Sequence, residues 1–224
     1  MRKRPKIYKV NIQERDDFAK AHVQWNAAWR NVVFSDEKKF NLDGPDGWTS
    51  YWHDTRMKDI EYSKRKIGGG GVKIWLAASY DYKSTIAFVE GDFNSKVYIK
   101  VLTQHLKPLL TSIGEAYEEE ATFQQDNDPS HVSDATLSWI ERQGITLLGW
   151  PAHSPDLSPM ENIFGILAGY VYEGSKQYNT VNELRKGIED AWARLDQTEI
   201  QQCIGSMPQR MIDVIAAKGK STRY

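Results

Sequence analysis

Residues 31–42 limit the possible folds of this chain more than any other segment. They begin with a continuous apolar run at residues 32–34, and polar and apolar residues alternate only after Asp36. A continuous apolar run is typical of a strand that is buried on both faces. A carboxylate at the end of such a run would be costly to bury unless a cation, a strong partner or a cleft compensates for it. We therefore predict a central strand with a functional carboxylate at Asp36, and an ion pair with Lys38 or Lys39 is the alternative.

The order of the other predicted elements indicates the fold class. Further strands are predicted at residues 48–53, 72–79, 86–89, 121–125 and 145–150. Helices are predicted at residues 13–29, 94–110, 133–143, from 160 onward, 180–195 and 198–217. A strand meander followed by strands that alternate with helices gives a mixed sheet with helices on both faces. We predict an α/β, ribonuclease H-like fold: a mixed five-stranded sheet flanked by helices, with the first strand central and the fourth beside it.

Composition limits the domain organisation and the partners. The 224 residues suit one large domain, so we predict a basic arm or linker at residues 1–12 and one domain with a helical tail at residues 13–224. The net charge of −1 shows that any grip on nucleic acid would depend on local basic clusters, such as residues 64–66. No apolar run reaches the ~20 residues that span a bilayer, so no membrane partner is expected. One cysteine, Cys203, excludes an internal disulfide.

Residues 124–131 crowd polar side chains between a predicted strand and a predicted helix. They read Gln-Gln-Asp-Asn-Asp-Pro-Ser-His, a density of polar groups for which a core strand has no use. In the predicted topology, Asp126 ends the fourth strand and lies beside Asp36. The alternative is a turn or a helix cap, because Asp-Asn-Asp-Pro is also good turn chemistry.

A third carboxylate, Glu161, begins a predicted helix directly after the proline-rich residues 151–159. A favourable interaction with the helix dipole is the alternative explanation for it. Three carboxylates that converge repel one another unless divalent cations neutralise them, and Mg²⁺ prefers such hard oxygen ligands. Two ions about 4 Å apart would serve in-line phosphoryl displacement.

Three sequence blocks carry a resemblance to a known family. Residues 33–37 read Val-Phe-Ser-Asp-Glu, residues 125–131 read Gln-Asp-Asn-Asp-Pro-Ser-His, and residues 150–162 read Trp-Pro-Ala-His-Ser-Pro-Asp-Leu-Ser-Pro-Met-Glu-Asn. They resemble the signature blocks of the mariner superfamily of DDE cut-and-paste transposases. The Tc-type branch of that superfamily has 34 residues between the second Asp and the Glu. Residues 127–160 give the same 34 between Asp126 and Glu161.

The resemblance implies a fold, a chemistry and a set of partners. It implies a ribonuclease H-like catalytic domain in which Asp36, Asp126 and Glu161 are the catalytic residues and the ligands of Mg²⁺ or Mn²⁺, with two ions expected. It implies nicking of DNA at transposon ends and joining to TA target sites, by a homodimer in the nucleus. Asn127 would orient Asp126, and His131 would contact the scissile phosphate or orient a water molecule. Packing or capping is the alternative role for His131.

Departures from the family pattern leave two other functions open. Helix-turn-helix modules, which family members carry before this domain, are not expected within this sequence, and Phe164 and Leu76 stand where the family commonly has Trp and Gly. These departures motivate a domesticated, transposase-derived module that binds DNA or protein without cleaving. Another ribonuclease H-like nuclease, acting on RNA–DNA hybrids, is the third possibility.

Overall fold

A computed structural model of the protein describes residues 9–44, 70–117 and 120–224. The predicted strand at residues 48–53, the basic cluster at residues 64–66 and most of the predicted basic arm lie outside the described residues. The division of the chain into an arm and one domain therefore stays a prediction.

The sheet has the mixed topology that the sequence predicts. Its strands are β1 (Val32–Asn41), β2 (Gly71–Ala78), β3 (Ala87–Val89), β4 (Thr122–Gln124) and β5 (Thr146–Leu147). They lie in the order β3-β2-β1-β4-β5. The pairs β1–β2 and β2–β3 are antiparallel, whereas β1–β4 and β4–β5 are parallel. The predicted central position of the first strand and its pairing with the strand at residue 122 are thus confirmed.

Strand β1 is central because its first residues are apolar on both faces. Val33 and Phe34 are fully buried, but they belong to two different cores on opposite sides of the sheet, as the alternation of side chains along a strand requires. The core on the side of Phe34 is formed with the helices at both ends of the chain. The core on the side of Val33 is formed with the helices between β3 and β5. Strand β5 has only two residues, shorter than predicted, because the backbone then leaves the sheet for the proline-rich loop.

Eight α-helices of the described residues cover the two faces. They are α1 (Lys9–His22), α2 (Ser95–Val101), α3 (Lys107–Tyr117), α4 (Asp134–Arg142), α5 (Met160–Val171), α6 (Val181–Arg194), α7 (Gln197–Gly205) and α8 (Met207–Ala216). Asn94, Ser133 and Thr180 are the N-caps of α2, α4 and α6: each side chain accepts at least one backbone N–H of the first turn. None of the helices in these residues is long and apolar enough to span a bilayer.

Three helix boundaries differ from the prediction. Helix α1 begins at Lys9 rather than residue 13 and ends at His22; a 3₁₀ helix, Asn26–Asn31, follows it. The helix predicted to end near Pro108 continues to Tyr117, because a π-helical segment, Leu102–Leu106, precedes the proline, which falls in the first turn of α3. The single helix predicted for the tail is two helices, because Pro208 cannot donate to the carbonyl of Ile204 and so begins α8 anew.

Candidate active site

Asp36 lies at the centre of the sheet without a cationic partner. It is the fifth residue of β1, opposite Leu76 of β2. One carboxylate oxygen accepts the amide of Glu37 at 2.7 Å, and among the described residues no lysine pairs with it. Burial, followed by the negative charge of Glu161, raises the pKa of Asp36 to about 7. The predicted alternative, a pair with Lys38 or Lys39, is therefore wrong, and Asp36 sits in excess negative charge.

Asp126 lies two residues after the end of β4, and local contacts fix its carboxylate. Its Oδ1 accepts the amide of Asp128 at 3.0 Å and lies 2.6 Å from Nδ1 of His131. Burial opposes ionisation, but the hydrogen bonds with His131 and Asp128 outweigh it and hold the pKa of Asp126 below its usual range. The turn chemistry is real as well, since Ser130 donates to the carboxylate of Asp128 at 2.6 Å. The predicted turn is therefore present, and it does not exclude a place for Asp126 in a cleft.

His131 is enclosed by aromatic and acidic side chains, and only 2% of it is exposed. Its ring lies 4.0 Å from the Tyr98 ring and 5.9 Å from the Phe93 ring, centroid to centroid. Its Nε2 is 3.4 Å from a Glu37 oxygen, an ion-pair contact without hydrogen-bond geometry. Burial disfavours the imidazolium, but Asp126 and Glu37 outweigh it and raise the pKa of His131 to about 9.

The ring of His131 is buried and lies against the Asp126 carboxylate, with Nδ1 and Oδ1 2.6 Å apart. This position suits orienting that carboxylate, and the predicted contact with a scissile phosphate or a water molecule stays a prediction. A second hydrogen-bond chain supports the same turn: Tyr98 donates to Gln125 at 2.8 Å, and Gln125 donates to the carbonyl of His131 at 3.0 Å. Two contributors, Glu37 and Tyr98, were missed from the sequence. Alternation along β1 could have placed Glu37 on the face away from Asp36, but no local signal links Tyr98 to residue 131.

Glu161 lies in the first turn of α5, after a loop that is buried although it has no regular structure. Ser154, Asp156 and Ser158 of that loop are 5–6% exposed, whereas Glu161 itself is exposed. The hydroxyl of Ser158 accepts the amide of Met160 at 3.3 Å and so helps to begin the helix. The loop thus brings Glu161 to the cleft edge as predicted.

The three carboxylates line one cleft of about 340 Å³. Its walls come from the middle of β1, from the end of β4 and the turn after it, and from the proline-rich loop. Asn127 lines the same cleft, but its amide donates to the carbonyl of Trp150 at 2.9 Å and not to Asp126. Trp150 also packs edge-on against Phe18 and Phe34, with centroids 5.2 and 6.2 Å away. Asn127 therefore braces the turn against the loop, and Trp150 is largely a packing residue.

The cleft suits a hard divalent cation by its donor chemistry. Within the described ranges, no three His, Cys, Asp or Glu side chains stand close enough to hold one ion. Mg²⁺, however, is commonly held by one or two carboxylates together with water and phosphate oxygens. Burial and then the negative charge of Glu161 raise the pKa of Asp36, and a bound cation would favour its ionised form. Asp36, Asp126 and Glu161 thus suit divalent cations by donor type, charge and shared cleft, although they do not surround one position as a group of three.

Solved structures of the Mos1 mariner transposase share this fold. The catalytic domain of the Mos1 mariner transposase superposes with a TM-score of 0.79 at 16% identity, over 99% of this chain and all of that one. The Mos1 paired end complex with Mn gives a TM-score of 0.81 at 19% identity, over 100% of this chain and 67% of that one. The predicted ribonuclease H-like fold is confirmed by this likeness. Residues 31–185, more than half of the chain, match the family described as DDE superfamily endonuclease.

The fold and the family match define the class: this chain belongs to the DDE superfamily of endonucleases. Its relatives specify the branch. It is 42% identical to the Tc3 transposase of Caenorhabditis elegans over 94% of this chain, and it spans 63% of that protein's length. It is 35% identical to the Tcb2 transposase of Caenorhabditis briggsae over 99% of this chain and 81% of that relative. The chain is therefore a member of the Tc-type transposase family, and the predicted resemblance is confirmed.

Proposed function

We propose that this chain is the catalytic part of a Tc-type transposase: a metal-dependent DNA endonuclease and strand-transferase. The observation that carries the proposal is the convergence of Asp36, Asp126 and Glu161 on one cleft. The raised pKa of Asp36 supports it, because burial and then the negative charge of Glu161 disfavour the ionised carboxylate, which a bound cation would stabilise. Perturbed carboxylates gathered in a cleft are typical of functional sites.

The three carboxylates would act as ligands of Mg²⁺ or Mn²⁺. When bound, two such ions would activate the attacking water or 3′-hydroxyl and stabilise the leaving oxygen of an in-line displacement. His131 holds the Asp126 carboxylate from a buried position and fixes its direction. Glu37, on the opposite face of β1 from Asp36, stabilises the charged imidazole of His131. The Asn127 contact with Trp150 keeps two walls of the cleft together.

The partners we propose follow from the same function. The substrates would be transposon ends and TA target sites in duplex DNA, in keeping with the transposase names of the relatives. Solved relatives include a Mos1 strand transfer complex and a paired end complex, and we propose that this chain works as a homodimer in a comparable assembly. A nuclear location would follow from action on chromosomal DNA.

Substitution of Asp126 by Asn tests the proposal most directly. The protein should nick duplex DNA in the presence of Mg²⁺ or Mn²⁺. Asp126→Asn should lower the rate of nicking at least a hundredfold, because a carboxylate ligand is replaced by an amide. The measurement is single-turnover cleavage of a supercoiled plasmid. Asp134→Asn, at the exposed start of α4, is the matched control and should leave cleavage unchanged.

The other two functions predict different results in the same assay. DNA binding without cleavage, unchanged by Asp126→Asn, would contradict the nuclease and support a binding module. Faster cleavage of an RNA–DNA hybrid than of duplex DNA, without joining to TA sites, would support the hybrid nuclease.

A further inference from the structure

The proline-rich loop before Glu161 is held by two buried arginines from opposite ends of the chain. This loop, residues 151–159, has no regular structure, and some of its buried polar groups are paired with donors from elsewhere in the chain. Arg15 of α1 donates to the carboxylate of Asp156 and Arg210 of α8 donates to its carbonyl, and both arginines are at most 1% exposed. Burying a guanidinium costs free energy unless its N–H donors are paired. Each of these two arginines is therefore expected to have hydrogen-bond partners in the surrounding structure.

Arg15 and Thr222 both bind the side chain of Asp156 in this loop. The guanidinium binds both carboxylate oxygens at 2.7 Å, and its Nε donates to the carbonyl of Gly219 at 2.9 Å. Thr222 adds its amide at 2.8 Å and its hydroxyl at 2.9 Å to the same carboxylate. The loop, the first helix and the last residues of the chain are therefore joined at Asp156.

Arg210 connects this joint to the helix that carries Glu161. Its Nη1 donates to the carbonyl of Asp156 at 2.7 Å, and its Nη2 donates to Oδ1 of Asn162 at 2.6 Å. Its Nε donates to the hydroxyl of Ser206 at 2.8 Å, so the direction of the guanidinium plane is fixed. Asn162 is the neighbour of Glu161 in the first turn of α5. Arg210 of α8 therefore binds one residue on each side of Pro159, the carbonyl of Asp156 and the side chain of Asn162.

We propose that Arg210, with Asn162 and the Arg15–Asp156 pair, is a positioning device that holds Glu161 at the cleft and thereby sets the affinity of the site for a divalent cation. The proposal rests on the proposed function, because Glu161 acts there as a metal ligand. None of these four residues lines the cleft. Their effect passes through the start of α5, where a small displacement of the backbone moves the Glu161 carboxylate away from Asp36.

Two conservative substitutions separate positioning from general stability. Arg210→Lys keeps the positive charge, but one ammonium group cannot reproduce the fixed fork of donors. Asn162→Ala removes only the acceptor beside Glu161. Ile188→Val, on the buried side of α6, leaves every hydrogen bond of the loop in place and is the matched control for a small loss of stability.

The first readout is Mn²⁺ affinity, measured by electron paramagnetic resonance of the free ion during titration, without DNA. Arg210→Lys and Asn162→Ala should bind Mn²⁺ about tenfold more weakly than the parent. Ile188→Val should bind like the parent although it melts at a lower temperature. Folded variants that bind Mn²⁺ as tightly as the parent would overturn the proposal.

The second readout is amide hydrogen exchange of residues 156–163, which does not require metal. Exchange there should be faster in Arg210→Lys and Asn162→Ala than in the parent and in Ile188→Val. A parent protein that binds no Mn²⁺ would contradict the proposed function, and hydrogen exchange would then test the positioning role of Arg210 by itself. Unchanged exchange in both variants would overturn that positioning role.

Discussion

The carboxylates of Asp126 and Glu161 lie in the same cleft but are held there in opposite ways. Asp126 is fixed by its own turn and by His131, five residues further along the chain. Glu161 is exposed, and its helix start is fixed by Arg15 and Arg210, through contacts that span up to 141 residues. The comparison indicates that one proposed metal ligand depends on a local motif, while its neighbour depends on contacts with helices at both ends of the described chain.

The largest effect is expected when the buried ion pair of Arg15 and Asp156, in the loop before Glu161, is broken. Arg15→Met leaves the carboxylate of Asp156 buried without its bidentate partner, which should cost about 3–5 kcal/mol of the free energy of unfolding. Urea denaturation followed by circular dichroism measures it. Arg194→Met, at an exposed pair with Glu173, is the control and should unfold at the parent's urea concentration. Equal midpoints for the two variants would refute the importance that we assign to Arg15.

His131 beside Asp126 and Asp156 in the proline-rich loop should respond to pH in opposite directions. The pKa of His131 is raised from 6.5 to about 9. Its contribution to stability is therefore complete below pH 6.5 and is lost as the pH rises through about 9, on the order of 3 kcal/mol. Burial opposes ionisation of Asp156, but Arg15 and Thr222 hold its pKa below 3.8. Its contribution is complete above pH 3.8 and is lost as the pH falls through the lowered value.

Urea midpoints of the protein in EDTA, measured from acid to alkaline pH, test these opposite responses. His131→Gln should remove the loss of stability at alkaline pH, and Asp156→Asn should remove the loss at acid pH. A His131→Gln variant that keeps the full alkaline loss would show that another group controls it.

A third effect concerns the close approach of the chain ends. Gly219 has a φ of 74°, and a Cβ atom there would stand 1.9 Å from the carbonyl oxygen of Ile12 in α1. Gly219→Ala should therefore cost about 2 kcal/mol in unfolding free energy. Gly165→Ala, in the exposed interior of α5 with no atom near its Cβ, should instead gain about 0.5–1 kcal/mol. Similar midpoints for both variants would contradict the packing of α1 on the tail.

The smallest effect is expected around His131, which contacts Asp126. Tyr98→Phe removes the hydroxyl that donates to Gln125 but keeps the ring against His131. We expect a loss of about 1 kcal/mol in unfolding free energy and an unchanged Mn²⁺ affinity, because the contact between His131 and Asp126 remains. A larger loss of Mn²⁺ affinity than in Arg210→Lys would reverse the comparison between the two regions.

Much of the fold was predictable because it depends on periodicity and on caps. The apolar run before Asp36 predicted the central strand, and the helices predicted from residues 133 and 180 begin at Asp134 and Val181. Two of the errors fell at prolines. Pro108 continues a helix and Pro208 begins a new one, since the effect of a missing amide donor depends on the helix geometry just before it.

The candidate site was predictable in its members but not in their supports. Spacing and local composition identified Asp36, Asp126 and Glu161, and the structure brings all three to one cleft. Sequence reasoning expected Asn127 to orient Asp126, whereas its amide contacts Trp150. The contact depends on where the loop after β5 runs, and a pattern within residues 124–131 has no information about that.

The sequence by itself determined the order of strands and helices, the three carboxylates and their family, because these depend on residue type and spacing along the chain. Only the tertiary structure decided that His131 is buried against Tyr98 and that Arg15 and Arg210 hold the loop before Glu161. The physical reason is that such pairs form between residues dozens to more than a hundred positions apart. Their partners are chosen by the docking of whole helices on the sheet, and no periodic pattern along the chain encodes that choice.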